Sequence, residues 1–245
     1  MGLKEDIKIK VKSILDENFT ITDVSRIPEL DDNKLTFGNT GLRFKGSVLF
    51  IDMRGSTEVL NNHTNTTVAK LHMAFFHTIV KIANSLEGHV RSFNGDSALI
   101  FFEGDYKSTI SIAVQCAMKI KYAIDNSDAG INELLKKYSK LDFGIGIDHG
   151  EILCTKVGVG GEHNRDLFWI GNSVNKSTVL GDESKKPNHI SISNYVYGNL
   201  NNFVKYGKST DIWGKETDVD MWTQATFTYN GKLEYYYYTS WHVSI

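Results

Sequence analysis

The segment HVRSFNGDSALIFFEG constrains this chain more than any other, because two β-like apolar runs flank Asn94-Gly95. Asn-Gly readily adopts the positive φ angles of a tight hairpin turn, so the spacing predicts an antiparallel hairpin. Upstream, residues 46–52 (GSVLFID) form a short apolar run ending in a carboxylate, the pattern of a buried strand. A helical pattern then runs from about Thr57 to Leu86, with a break expected near 61–64. Val68, Leu71, Phe75, Ile79, Ile82 and Leu86 give it one apolar stripe, and Gly88 is the expected stop.

A second helix is expected from about Ser108 to Asn126, and a third from near Ser173. Between them, LDFGIGIDHGEILCTKVG reads as two strands joined by a hairpin at His149-Gly150. Residues 189–193 and about 226–243 read as further strands. Residues 3–17 favour a helix, although the Ile7, Ile9, Val11 alternation also fits a strand. Loop is expected to dominate 28–46, which holds Pro28, Asp31, Asp32, Asn33, Gly38, Asn39 and Gly41. Hairpins alternating with helices that cover a sheet face predict an α+β fold rather than a doubly wound parallel sheet.

The chain has 245 residues, enough for one large core. Lys plus Arg total 27 against 29 for Asp plus Glu, a formal net charge of −2, which argues against a protein held on nucleic acid by bulk charge. No apolar run approaches the roughly 20 residues of a membrane-spanning helix. Two cysteines, Cys116 and Cys154, make no disulfide framework. The opening MGLKEDIKIK carries charge where a signal peptide is apolar, so the expected location is the cytoplasm.

Two carboxylates stand out. Asp52 ends the apolar strand and Asp96 follows the Asn94-Gly95 turn. A charge beside apolar sequence is costly unless paired or metal-bound. If the two strands are neighbours, both acids point at one spot and suit Mg²⁺ or Mn²⁺. Alternatively, both are turn aspartates that cap backbone N–H groups. Gly55, Ser56 and Thr57 place N–H groups before a helix start, a weak anion cradle; no Walker A motif occurs. His149 is expected in a turn, His72 and His77 on the long helix, and Cys154 as an apolar filler. Tyr235–Tyr238 reads as a packed edge or contact strand, since alternate tyrosines face opposite sides.

Taken together, FIDMRGST (50–57), FNGDSALIFF (93–102), FGIGIDHGEILCTKVG (143–158) and WIGNSVN (169–175) carry a resemblance. In order and spacing, residues 43–180 resemble the catalytic domain of a class III nucleotidyl cyclase. The resemblance implies a ferredoxin-like domain over 43–225, an N-terminal extension over 1–42 and a C-terminal strand extension over 226–245. It implies that Asp52, Asp96 and the carbonyl of Ile51 hold two Mg²⁺ or Mn²⁺ ions. The implied reaction is attack of a ribose 3′-oxygen on the α-phosphate of a nucleoside triphosphate, releasing pyrophosphate. It further implies that Asn175 orients the ribose and that the site forms between two copies of the chain, a homodimer.

The departures from the pattern are informative. The base-reading positions carry Ser92 and Asn172, neutral groups that both donate and accept, in place of the charged adenine-reading pair. Val179 stands where the family places a transition-state arginine, which leaves Arg54, Lys176 or Arg165 to supply a cation, or an inactive domain. Lys215, in WGKE, is placed by the resemblance on the triphosphate. The small size and changed base positions resemble the pyrimidine cyclases of the bacterial Pycsar antiphage system. That resemblance implies UTP, ahead of CTP, as substrate, and a separate effector that responds to the cyclic product. A purine cyclase with an atypical pocket and a catalytically dead nucleotide-binding domain are the alternatives.

Overall fold

The computed structural model describes residues 2–128, 130–159, 165–210 and 213–245. Helix α1 (Leu3–Asp16) leads to β1 (Thr20–Asp23) and the long β2 (Thr40–Arg54). Helices α2 (Ser56–Asn62) and α3 (Asn65–Ser85) precede the hairpin β3 (His89–Asn94) and β4 (Ser97–Glu103). Next come α4 (Lys107–Asp125), α5 (Ile131–Leu135), β5 (Asp142–Gly158), β6 (Arg165–Ile170) and α6 (Asn172–Glu183). The chain closes with β7 (Ile190–Ser193), α7 (Asn194–Gly198), α8 (Asn202–Lys205), β8 (Tyr206–Thr210), β9 (Glu216–Asp220), β10 (Thr223–Tyr229) and β11 (Lys232–Thr239).

Nine strands form one sheet in the order β10-β11-β7-β5-β2-β4-β3, with β1 beside β2 and β6 beside β5. The β1/β2 and β5/β7 pairs are parallel and the rest antiparallel, so the expected α+β class with a mixed, mostly antiparallel sheet holds. Strands β8 and β9 form a separate ribbon.

The two faces of the sheet are packed by different means. On one, Leu49, Ile51 and Met53 of β2 and Phe143, Ile145 and Ile147 of β5 meet Leu71, Phe75 and Ile79 of α3 and Ile110, Val114 and Met118 of α4. Each such side chain, fully buried, contributes on the order of 1.5–3 kcal/mol. On the other face, α6 lies on β5 backbone to backbone. A Cβ at Gly146 would stand 2.0 Å from the Ser177 carbonyl oxygen, and one at Gly144 2.4 Å from that of Gly181. Helices therefore cover both faces, not one. A further apolar cluster joins Ile27 and Leu35 to Leu42, Phe44, Phe101 and Trp169 at the far end of the sheet. Among the described residues no helix is long and apolar enough to cross a membrane.

Four local expectations change. No hairpin forms at His149-Gly150; β5 runs straight through, because β2 pairs with it from Arg54↔Asp142 to Gly41↔Thr155. His149 is accordingly buried within a strand, bonded to Ser47 Oγ and Asp105 Oδ1 at 3.0 Å each. Strand β2 begins at Thr40, inside the stretch expected as loop, since its first residues gain partners in both β1 and β5. The hairpin turn is Gly95-Asp96, not Asn94-Gly95: Asn94 pairs with Ser97, and Gly95 alone has positive φ, as in a type II′ turn. Finally, the left-handed residue that ends α3 is Glu87, one position before Gly88. The break expected near 61–64 falls between α2 and α3, and α1, not a strand, occupies residues 3–16.

Candidate active site

Side chains alternate along β2, so with Ile51 and Met53 in the α3/α4 core, Asp52 and Arg54 face α6. Asp52 pairs with Ser97, the residue after the β3–β4 turn. The Met53 N–H donates to the Asp96 carbonyl at 3.2 Å, which ties the turn to the end of β2. The two carboxyls meet there. Burial pushes Asp52 up to about 6, the Asp96 charge and a hydrogen bond between the two carboxyls push the same way, and Arg54 opposes. Two acids that close repel unless a cation or proton lies between them.

The donor set fits a hard divalent cation: two carboxylates, with the Ile51 backbone carbonyl on the same strand end. Among the described residues no group of three or more His, Cys, Asp or Glu side chains is placed to hold a metal ion. A cation held by two carboxylates keeps open positions for water or substrate oxygens, as Mg²⁺ does. Beside the acids, Gly55 is left-handed with φ 68°, a conformation a side chain would strain, and it turns the chain into α2, whose first residues are Ser56 and Thr57.

Helix α6 carries the other singled-out residues. Asn175 is exposed on its surface. Tyr229 OH donates to Asn172 Oδ1 at 2.9 Å. Lys176 Nζ donates to Glu234 Oε2 at 2.7 Å and sits 4.8 Å from the Tyr229 ring centre. The first turns of α6 are thus fastened to β10 and β11. Val179 packs on the cluster of Leu180, Phe227, Tyr229 and Tyr236, an apolar setting in which a guanidinium would lose its hydration. Arg54 turns towards the other end of α6, donating to the carbonyls of Gly181 and Ser184.

Ser92 is half-buried just past a register shift in β3. Arg165 is exposed at the start of β6, and Lys215 is exposed between β8 and β9. Among the described residues no hydrogen bond joins Ser92 to Asn172, or Asn175 to either aspartate. A cavity of about 810 Å³ lies elsewhere, between Asp23, Arg43, Lys45, Asp105 and Tyr106. Within one chain Asp52 and Asp96 are both half-buried.

Three residues escaped the sequence reading. Tyr229 and Glu234 meet α6 across separations of 57 and 58 residues, beyond the reach of any local pattern. Asp148 is buried behind Lys176 and Glu234 and is pushed up to about 6, chiefly by burial. Its place in a run of alternating glycines and isoleucines, GIGID, was the available signal.

Residues 45–231 match the family model of the adenylate and guanylate cyclase catalytic domain, and the chain belongs to that family, the class III nucleotidyl cyclases. A uridylate cyclase of Xanthomonas perforans is 28% identical over 221 residues, 89% of this chain and 92% of the relative. One from Burkholderia cepacia is 27% identical over 232 residues, 92% and 97% of the two chains. Among solved structures, the guanylyl cyclase Cya2 superposes with a TM-score of 0.66 at 17% identity, over 82% of this chain and 94% of that one. The adenylyl cyclase CyaB from P. aeruginosa gives 0.63 at 20% identity, over 81% and 95%.

Proposed function

We propose that this cyclase converts UTP to 3′,5′-cyclic UMP and pyrophosphate. The observation that carries the reading is the match to uridylate cyclases along about nine-tenths of both chains. The neutral Ser92 and Asn172 support it, because each offers donors and acceptors to a pyrimidine and neither supplies a charge. CTP is the second choice of substrate.

Asp52, Asp96 and the Ile51 carbonyl hold two Mg²⁺ or Mn²⁺ ions. Such ions, when bound, lower the pKa of the attacking 3′-hydroxyl and neutralise the phosphates and the leaving pyrophosphate. The chain's own residues position the substrate. Asn175 orients the ribose. Backbone N–H groups of Gly55, Ser56 and Thr57, with Lys215, receive the phosphates. Lys176, fastened by Glu234, holds the start of α6 and so the presentation of Asn172 and Asn175. Asn175 is exposed on α6 and bonds neither aspartate within one chain, which supports a site completed by a second copy of the chain, with the acids from one protomer and Asn175 from its partner. The cyclic product serves as a second messenger in antiphage defence, acting on a separate effector. Residues 1–42 form an N-terminal extension, and residues 226–245 a C-terminal strand extension packed on the catalytic domain.

Incubation with each of the four ribonucleoside triphosphates and Mn²⁺ tests this reading. Cyclic UMP as the main product is expected. Cyclic AMP or GMP as the main product overturns the pyrimidine assignment, and nucleotide binding without any product identifies an inactive domain.

A further inference from the structure

We propose that Arg54 is a positioning residue that clasps the aspartate-bearing end of β2 to the last turn of α6. The inference rests on the shared-site reading above, and it assigns Arg54 a place in the structure rather than at the reacting phosphate.

A surface arginine ordinarily extends into water, and this one turns inward. Its Nη2 donates to the Gly181 carbonyl and, at 3.4 Å, to that of Ser184. Its Nη1 lies 3.6 Å from Asp182 Oδ1 and 4.0 Å from Asp52 Oδ2. The last carbonyls of a helix carry partial negative charge, and the Gly181 carbonyl, which accepts from the Ser184 N–H at 3.1 Å, takes a second bond from the forked cation. Gly144 keeps the passage clear: a Cβ there would stand 2.7 Å from Nη2 and 3.1 Å from Nε. With its donors turned to α6, Arg54 is poorly placed to follow a moving phosphate.

The consequence crosses the dimer. Within one chain Asp52 serves one site, while Asn175 serves the other. The two are joined by a short path from Asp52 through Arg54 and the end of α6 to Asn175, six residues or about 9 Å back along the helix. At Gly146 helix α6 lies directly on the backbone of β5, so movement at its last turn passes along the helix as a rigid shift.

Mixed dimers separate the possibilities. Asp52→Ala chains mixed with Asn175→Ala chains leave one complete site, with acids from the Asn175→Ala protomer and Asn175 from the Asp52→Ala protomer. Arg54→Ala is added to one protomer at a time. The clasp predicts that kcat falls by about tenfold when Arg54→Ala is in the protomer supplying Asn175, and by less than about threefold in the protomer supplying the acids. A loss that follows the acid-supplying protomer makes Arg54 a group acting at Asp52 and overturns the proposal. Arg54→Lys, which keeps the charge without the fork, is the second variant and is expected to lose activity in the same protomer. Should the parent mixture show no activity, the shared-site reading fails on its own account. Amide hydrogen exchange then still decides the clasp: residues 180–184 exchange at least about tenfold faster in Arg54→Ala and Arg54→Lys homodimers if it exists, and at the wild-type rate if it does not.

Discussion

The two faces of the central sheet obey different rules. Against α3 and α4 the contact is made by branched and aromatic side chains in depth, with Phe75, Ile79, Phe143, Ile145 and Ile147 all fully buried. Against α6 the closest contacts are backbone to backbone at Gly144 and Gly146, with the Arg54 guanidinium beside Gly144 and the Phe50 ring against Gly181. A side-chain interface gives stability and absorbs small changes by repacking. A backbone interface contributes less burial and fixes position. The acids and the helix bearing Asn175 both lie on the second face, so the molecule keeps its stability on one side and its precision on the other.

The largest effect that tests this division is on activity alone. On the metal-site reading proposed above, Asp52→Ala or Asp96→Ala should cost at least about a thousandfold in kcat while melting temperature holds or rises, because that reading takes away a metal ligand and no packing. A large drop in melting temperature would show that this face also carries stability. Next, Gly146→Ala should destabilise by about 3 kcal/mol or more, since its Cβ meets backbone that has nowhere to go. The neighbouring Ile147→Val, on the other face, should cost only about 1 kcal/mol in the same denaturant titration. Equal costs would erase the contrast.

Asp148 supplies a pH handle on the α6 face. Its folded pKa of about 6 lies above the ordinary value of 3.8, so the folded state holds the proton more tightly than the unfolded state does. Its stability contribution is therefore full below about pH 4 and is lost as pH rises through about 6. On this basis the gain of Asp148→Asn over wild type should grow by about 3 kcal/mol, at most, between pH 4 and 7.5 in urea titrations. A constant difference would show that Asp148 is charged at no cost. A smaller effect than at Gly146 or Asp148 is expected at the half-buried pair: Lys176→Met should cost about 1–2 kcal/mol, and Glu234→Leu added to it should recover part of that loss.

The side-chain face was legible in the sequence and the backbone face was not. The stripe from Val68 to Leu86 and the hairpin around Asn94-Gly95 are local patterns, and both elements stand close to where the periodicity placed them. The meeting of Asp52 with Asp96 was legible too, given that their strands are neighbours. By contrast, Gly144, Gly146 and Gly181 look like turn or hinge residues until the helix they admit is in place. The His149-Gly150 pair misled for the same reason: the length of β5 is set by its partner β2, which lies about a hundred residues earlier. The anchors Tyr229 and Glu234 belong to a hairpin that no motif links to α6.

The two-residue turn that carries Asp96 reaches beyond its geometry. With Asn94 and Ser97 locked as a pair, the acid stands at a fixed count from the ends of both strands. Lengthening this ribbon by even one residue swings the carboxyl away from Asp52 before any chemistry is tried.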